Sequence, residues 1–160
     1  MIESIRVDDR LIHGQVALVW SKEFNTKRIV VANDDAAKNN VQQMTLKMAT
    51  PDGIKLLIKT VDDCIKVFNN PKSKEVNLFV LTSNIQDALK IVKNCSIVKD
   101  VNVANVGRFD ESLDKIPLND AIILNQKELE ALKELTQKNI PVYHQVVPNN
   151  KKTPISKLLK

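Results

Sequence analysis

The run Arg6-Val7-Asp8-Asp9-Arg10-Leu11-Ile12-His13-Gly14-Gln15-Val16 gathers an unusual density of groups able to do chemistry. An imidazole is largely neutral near pH 7 and can act as a nucleophile, which is what His13 would contribute. Gly14 lets the backbone approach a ligand closely as the next helix begins. The N–H groups of Gly14, Gln15 and Val16, at the start of that helix, would point towards an anion beside His13. Arg10, three residues upstream, carries a planar fork suited to phosphate oxygens. Asp8 and Asp9 could each orient the imidazole by accepting from its second nitrogen, or anchor Arg10; Asp9 is the candidate we assign to the ring. Nucleophilic phosphoryl transfer needs these parts: a neutral ring nitrogen in line with the donor, and fixed positive potential around the equatorial oxygens. A helix N-terminus and one arginine supply that potential without a metal, so neither a metal nor an organic cofactor is expected.

Such a loop works only if rigid elements hold it. Short apolar runs recur along the chain: Ile5 to Val7, Ile29 to Ala32, Ile54 to Ile58, Leu78 to Leu81, Val101 to Val103, Ala121 to Leu124 and Val142 to Val147. Several are apolar on both faces, as strands covered on both sides are. Between them lie helical patterns at Gly14 to Phe24, at Val41 to Ala49 through Val41, Met44 and Met48, at Ile85 to Val92, and at Leu129 to Leu135. Turn signals separate them, among them Pro51-Asp52-Gly53, Asn69-Asn70-Pro71 and Pro148-Asn149-Asn150. The alternation predicts one α/β domain over residues 1–160, an open and mostly parallel sheet with helices on both faces. Residues 148–160 are expected to be a short helix or a frayed tail. Ligands of such sheets bind outside the carboxyl ends of the strands, which places the first loop at the mouth of the fold.

Other strand-end residues are weaker candidates. Asn33, Asp34 and Asp35 follow the second run and read first as helix caps, with Asn33 at the rim of the first loop. Thr82-Ser83-Asn84 is a strand exit whose Ser83 hydroxyl could reach a phosphate, and Arg108, after Gly107, could help dock a partner's phosphorylated histidine. His144 reads as a strand residue. Cys64 and Cys95 read as small apolar packing groups, because neither lies in the electropositive loop that a reactive thiolate needs.

The composition narrows the alternatives. The 160 residues carry 24 Lys and Arg against 19 Asp and Glu, a net charge of +5, but the lysines are spread out. With aromatics at 4%, a stacking surface for single-stranded nucleic acid is not expected; the charge suits docking to an acidic partner. Two cysteines outside any CxxC pair suggest a reduced, cytoplasmic setting. The opening residues show no basic leader and apolar stretch, so no signal peptide is expected. No apolar run approaches the ~20 residues that span a bilayer.

The run from Arg6 to Val16 closely resembles the N-terminal signature of the mannose/fructose/sorbose family of phosphotransferase-system IIB components. The likeness continues more weakly through Ile29 to Asp34, Gln43-Met44 to Gly53, Asn102 to Asn105 and Leu132 to Val147. It implies that His13 takes a phosphoryl group, through its Nδ1, from a histidine on a IIA partner. It further implies that His13 passes the group to a sugar carried by membrane IIC and IID components, and that Arg10 helps bind the phosphoryl group. The chain would then work at the inner face of the membrane, with a homodimer compatible with the family's habits. Ala104 stands where the family often has glycine, which would strain the loop if its φ were positive. Two rival readings are poorer. A receiver-type signalling domain could use Asp8-Asp9, but needs a further aspartate at the end of its third strand, where Lys59-Thr60 and Thr82-Ser83 offer none. A polyanion-binding module would rest on net charge alone.

Overall fold

Residues 1–159 are described in a computed structural model. Nine strands and seven α-helices follow one another as β1 (Ile2–Asp8), α1 (Val16–Glu23), β2 (Arg28–Ala32), α2 (Asp34–Ala37), α3 (Asn40–Ala49), β3 (Lys55–Lys59), α4 (Val61–Phe68), β4 (Leu78–Thr82), α5 (Ile85–Asn94), β5 (Val101–Asn105), β6 (Ile116–Pro117), β7 (Ile123–Leu124), α6 (Gln126–Thr136), β8 (Val142–His144), β9 (Thr153–Pro154) and α7 (Ile155–Leu158) among the described residues, with a 3₁₀ helix (Pro71–Glu75) between α4 and β4. Seven strands form one open sheet in the order β3-β2-β4-β1-β5-β8-β9, parallel throughout except for the β8–β9 pair. β6 and β7 form a small antiparallel ribbon apart from it.

The β-branched and apolar strands are buried on both faces. One face packs Val7, Val30, Val80 and Val103 against Phe68, Ile85, Leu132 and Ile155 from α4, α5, α6 and α7. The other packs Ile29, Val31, Phe79 and Leu81 against Ala17, Trp20 and Leu46 from α1 and α3. Each fully buried side chain of this size is worth roughly 1.5–3 kcal/mol. β1, between β4 and β5, breaks the rule. It gives Ile5 and Val7 to the first face, while Ser4, Arg6 and Asp8 alternate with them, all buried.

Three expectations need correction. The Ala121–Leu124 run does not become a strand of the main sheet. The Asn119 side chain accepts from the N–H groups of Ala121 and Ile122 at 2.9 and 2.8 Å, so only Ile123–Leu124 remains extended, paired with β6. The last run ends at His144, because the Asn102 side chain takes both the N–H and the carbonyl of Gln145. The Val41, Met44 and Met48 stripe of α3 faces outward, 74%, 64% and 86% exposed. Gln43 donates to the carbonyls of Ala36 and Ala37, and Leu46 is the residue turned inward. Of the two alternatives for residues 148–160, the short helix is the one present: α7 follows β9, which pairs with β8, and Ile155 is fully buried. Lys160 lies outside the described residues. Ala104 sits inside β5 without a positive φ, so it carries no strain.

Candidate active site

β1 delivers Asp8 to the carboxyl edge of the sheet, and the chain then turns sharply. Leu11 N–H donates to the Asp8 carbonyl at 2.9 Å, and Leu11 itself takes a left-handed conformation (φ 58°) that leucine rarely adopts. Its side chain is buried with Ile12 beside Trp20, which supplies what holds the turn in that shape. Gly14 (φ 51°) makes a second left-handed step, and α1 begins two residues later. His13 therefore stands on a tightly wound loop immediately before a helix whose first N–H groups have no carbonyl one turn earlier to bond.

The His13 ring is fixed by Asp8, not by Asp9. His13 Nε2 lies 2.9 Å from Asp8 Oδ2. The same oxygen accepts from Arg6 Nη2 at 3.3 Å and Asn105 Nδ2 at 3.2 Å, while Oδ1 accepts from the Arg10 N–H at 3.0 Å. Asp8 is fully buried. Burial alone would push its carboxyl up. The hydrogen bond from His13, the Arg10 N–H and the Arg6 charge outweigh burial and hold it below the usual carboxylate value. An ionised carboxylate only accepts, so the proton of the neutral imidazole sits on Nε2 and the lone pair on Nδ1. The Arg10 guanidinium Nε is 3.6 Å from Asp8 Oδ1, and its side chain is 32% exposed against 21% for His13, so both reach solvent at the same corner.

Asp9 has a different task. Its carboxylate accepts from the Arg108 N–H at 2.9 Å, and its own N–H donates to the Asn105 carbonyl at 3.0 Å. Burial, and the neighbouring Asp8 charge after it, push the Asp9 carboxyl up despite the Arg108 N–H. It thus tethers the loop carrying Arg108 to the first loop. Gly107, with φ +99°, makes that loop's close pass over the Ile123 backbone possible. Arg108 itself is exposed.

The remaining candidates divide. Asn33 caps α2 by accepting from the Ala36 N–H, and its amide donates to Ser83 Oγ at 2.8 Å, joining the ends of β2 and β4. Ser83 shares a groove of ≈ 240 Å³ with Asp9, Gly107 and Glu128. A cavity of ≈ 460 Å³, lined by Arg28, Lys55, Leu57, Val67 and Lys72 among others, holds none of the first-loop residues. His144 Nδ1 is 2.7 Å from the Val103 carbonyl and serves the sheet. Burial pushes the Cys64 thiol up to about 12 and the Cys95 thiol up to about 11, which keeps both protonated and inert. Of the two aspartates open to it, the ring takes Asp8 and not the preferred Asp9, and Arg6 and Asn105, neither a candidate site residue, complete the set. The strand period of two, which puts Arg6 and Asp8 on the same side of β1, was the available signal.

An open α/β sheet with a solvent-facing histidine at the end of its first strand, braced by a buried carboxylate, defines a class of group-carrying domains rather than an enclosed small-molecule enzyme. Comparison with known proteins gives the family. The model of the sorbose subfamily IIB component of the phosphotransferase system matches residues 2–160, and the chain belongs to that family. A probable phosphotransferase enzyme IIB component of Streptococcus pyogenes serotype M6 is 50% identical over 162 residues, covering 99% of both chains. The mannose-specific EIIAB component of Escherichia coli K12 is 33% identical over 154 residues, 96% of this chain and 47% of that one. The crystal structure of the IIB domain of the Klebsiella pneumoniae sorbose permease superposes with a TM-score of 0.90 at 30% identity, covering 99% and 96% of the two chains. The protein is thus a phosphocarrier of a sugar phosphotransferase system.

Proposed function

We propose that His13 is the phosphoryl carrier and that Nδ1 is the atom that bonds to phosphorus. The observation that carries this reading is the 2.9 Å contact of Nε2 with buried Asp8, which leaves Nδ1 as the nucleophile. In the forward step, Nδ1 attacks the phosphorus of a phosphohistidine on a IIA partner. The P–N bond to the donor ring breaks as the bond to His13 forms, and the phosphoryl group alone changes hands. Keeping the proton on Nε2 leaves the phosphorylated ring with cationic character, which the Asp8 carboxylate stabilises. Arg10 and the N–H groups of Gly14 and Gln15 meet the equatorial oxygens, a role that electrostatic preorganisation makes energetically large. Arg108, tethered by Asp9, forms the outer rim, with Asn33 and Ser83 further along the sheet edge.

In the second step the phosphoryl group leaves Nδ1 for a hydroxyl of a sugar presented by membrane IIC and IID components. The Escherichia coli relative, named as an EIIAB component, supports pairing with a IIA unit. None of the helices among the described residues is long and apolar enough to cross a membrane. Exchange with a IIA partner and with IIC and IID would place the chain at the cytoplasmic face. Incubation with phosphoenolpyruvate, the general phosphotransferase proteins and the IIA component should put one acid-labile, base-stable phosphoryl group on the protein. The His13→Gln variant should take up none. Label that persists in that variant, or that maps to a cysteine, rules the reading out.

A further inference from the structure

Arg6 is the largest fully buried side chain among the described residues, and the phosphoryl transfer described above does not use it. It lies in the middle of the central strand β1, 1% exposed, where a hydrophobic residue of similar volume would ordinarily be as stable or more so. Its guanidinium reaches three ways. Nη2 donates to Asp8 Oδ2 at 3.3 Å, Nη1 donates to the Val146 carbonyl at 3.0 Å and lies 3.5 Å from that of Gln145, and the group stacks over the Trp20 ring at 5.8 Å. Trp20 Nε1 in turn donates to the same Val146 carbonyl at 3.0 Å. One planar fork therefore holds Asp8 with one arm and the segment after β8 with the other, a task that a lysine's point charge cannot perform.

We infer that Arg6 is a positioning residue for phosphoryl transfer, acting through Asp8 to fix the charge and the tautomer of the His13 ring. The inference rests on the reading of His13 as the carrier. Asp8 Oδ2 has Arg6 on one side and His13 Nε2 on another, so the acceptor that selects the Nε2–H tautomer is itself held in place and kept ionised by the buried cation. The other charged groups around this pair are few. Arg10 and the His13 ring face Asp8 from the loop, Asp9 repels it and Arg10 repels Arg6, while burial pushes the nearby Tyr143 phenol up and keeps it neutral. Arg6 is the only one of the cations among them that is sealed from solvent, and so the one whose charge salt and water screen least.

The test compares Arg6→Met, Arg6→Lys and Trp20→Phe in the full chain, with IIA as phosphoryl donor and circular dichroism to establish folding. Arg6→Met should slow the single-turnover rate at least tenfold with an unchanged KM for IIA. It should also move the acid limb of the pH–rate profile upward by about one to two units, as loss of an adjacent opposite charge does to a carboxylate. Arg6→Lys should bring the acid limb back towards wild type while part of the rate loss remains. Trp20→Phe removes the other bond to the Val146 carbonyl and leaves the Arg6–Asp8–His13 chain intact, so its profile should match wild type. Imidazole ¹⁵N spectra of the unphosphorylated proteins should show the Nε2–H form of His13 in wild type and Trp20→Phe, and its loss in Arg6→Met. If Trp20→Phe shifts the profile as Arg6→Met does, Arg6 serves only to fold the segment after β8 and the inference fails. Should Arg6→Met not fold, Arg6→Lys decides: wild-type rate and profile, or a raised KM with unchanged rate, overturns the role. Failure of the carrier reading itself looks different, since His13→Gln would then still be phosphorylated while Arg6→Met still abolished the Nε2–H form of the His13 ring.

Discussion

Replacing Asp8 by asparagine tests the electrostatic core of the site most directly. The carboxylate accepts four hydrogen bonds, from His13, Arg6, Asn105 and the Arg10 N–H. A hydrogen bond to a charged group contributes about 1.5–3 kcal/mol. If the His13 bond is worth that much more once the ring gains cationic character, its loss slows transfer roughly 10- to 150-fold. An amide can also donate to Nε2, which would favour the tautomer with its lone pair on the wrong nitrogen, so the larger figure is the better expectation. Stability falls too, because Arg6 is left buried without its counter-charge, at a cost of about 3–5 kcal/mol. That penalty has a pH signature. The Asp8 carboxyl is held below its ordinary value in the folded protein, so its contribution is complete above the unfolded value near ~4 and disappears as pH falls through the folded one. The stability gap between wild type and Asp8→Asn should therefore be full at pH 6 and shrink towards pH 3. Rapid-quench transfer from labelled IIA gives the rate, and urea titrations across pH give the gap. An Asp8→Asn protein that transfers within threefold of wild type, while Asp9→Asn loses a hundredfold, would show that the ring depends on the other aspartate.

Two further outcomes follow from local geometry. Gly107→Ala combines a positive φ with a Cβ driven onto the Ile123 carbonyl, so urea unfolding should show a loss of at least about 1–3 kcal/mol, more than for Gly53→Ala, whose Cβ meets open space. Cys64 should resist iodoacetamide at pH 8 in the native protein, since burial pushes its thiol up to about 12, and Cys64→Ala should be phosphorylated to the same extent as wild type; rapid alkylation would contradict the packing role.

The strands of the sheet were legible because their valines and isoleucines are apolar through both faces, and the loop was legible because its charged groups cluster at a strand end. What escaped was decided by contacts distant in sequence. Asp8 and Asp9 are indistinguishable as types, and only the turn fixed by Leu11 and the presence of Asn105 on β5 decide which one meets His13. The spacing of Val41, Met44 and Met48 marks a helix face but not its direction, which Gln43 and Leu46 settle. β6 and β9, two residues each, are too short to carry a period at all. Arg6, between Ile5 and Val7 in a buried strand, gives no local hint of a partner 140 residues away.

That span has a consequence for how the protein comes into being. Arg6 lies 140 residues before the Val146 carbonyl that holds its second arm, and β5 with Asn105 lies between the two. β1 must wait for neighbours on both sides, β4 and β5, before its buried charges have anywhere to go. A nascent or truncated chain ending short of Gln145 would carry the full phosphorylation motif without the scaffold that makes its imidazole competent. The topology thereby makes the setting of His13 depend on the segment after β8 being in place.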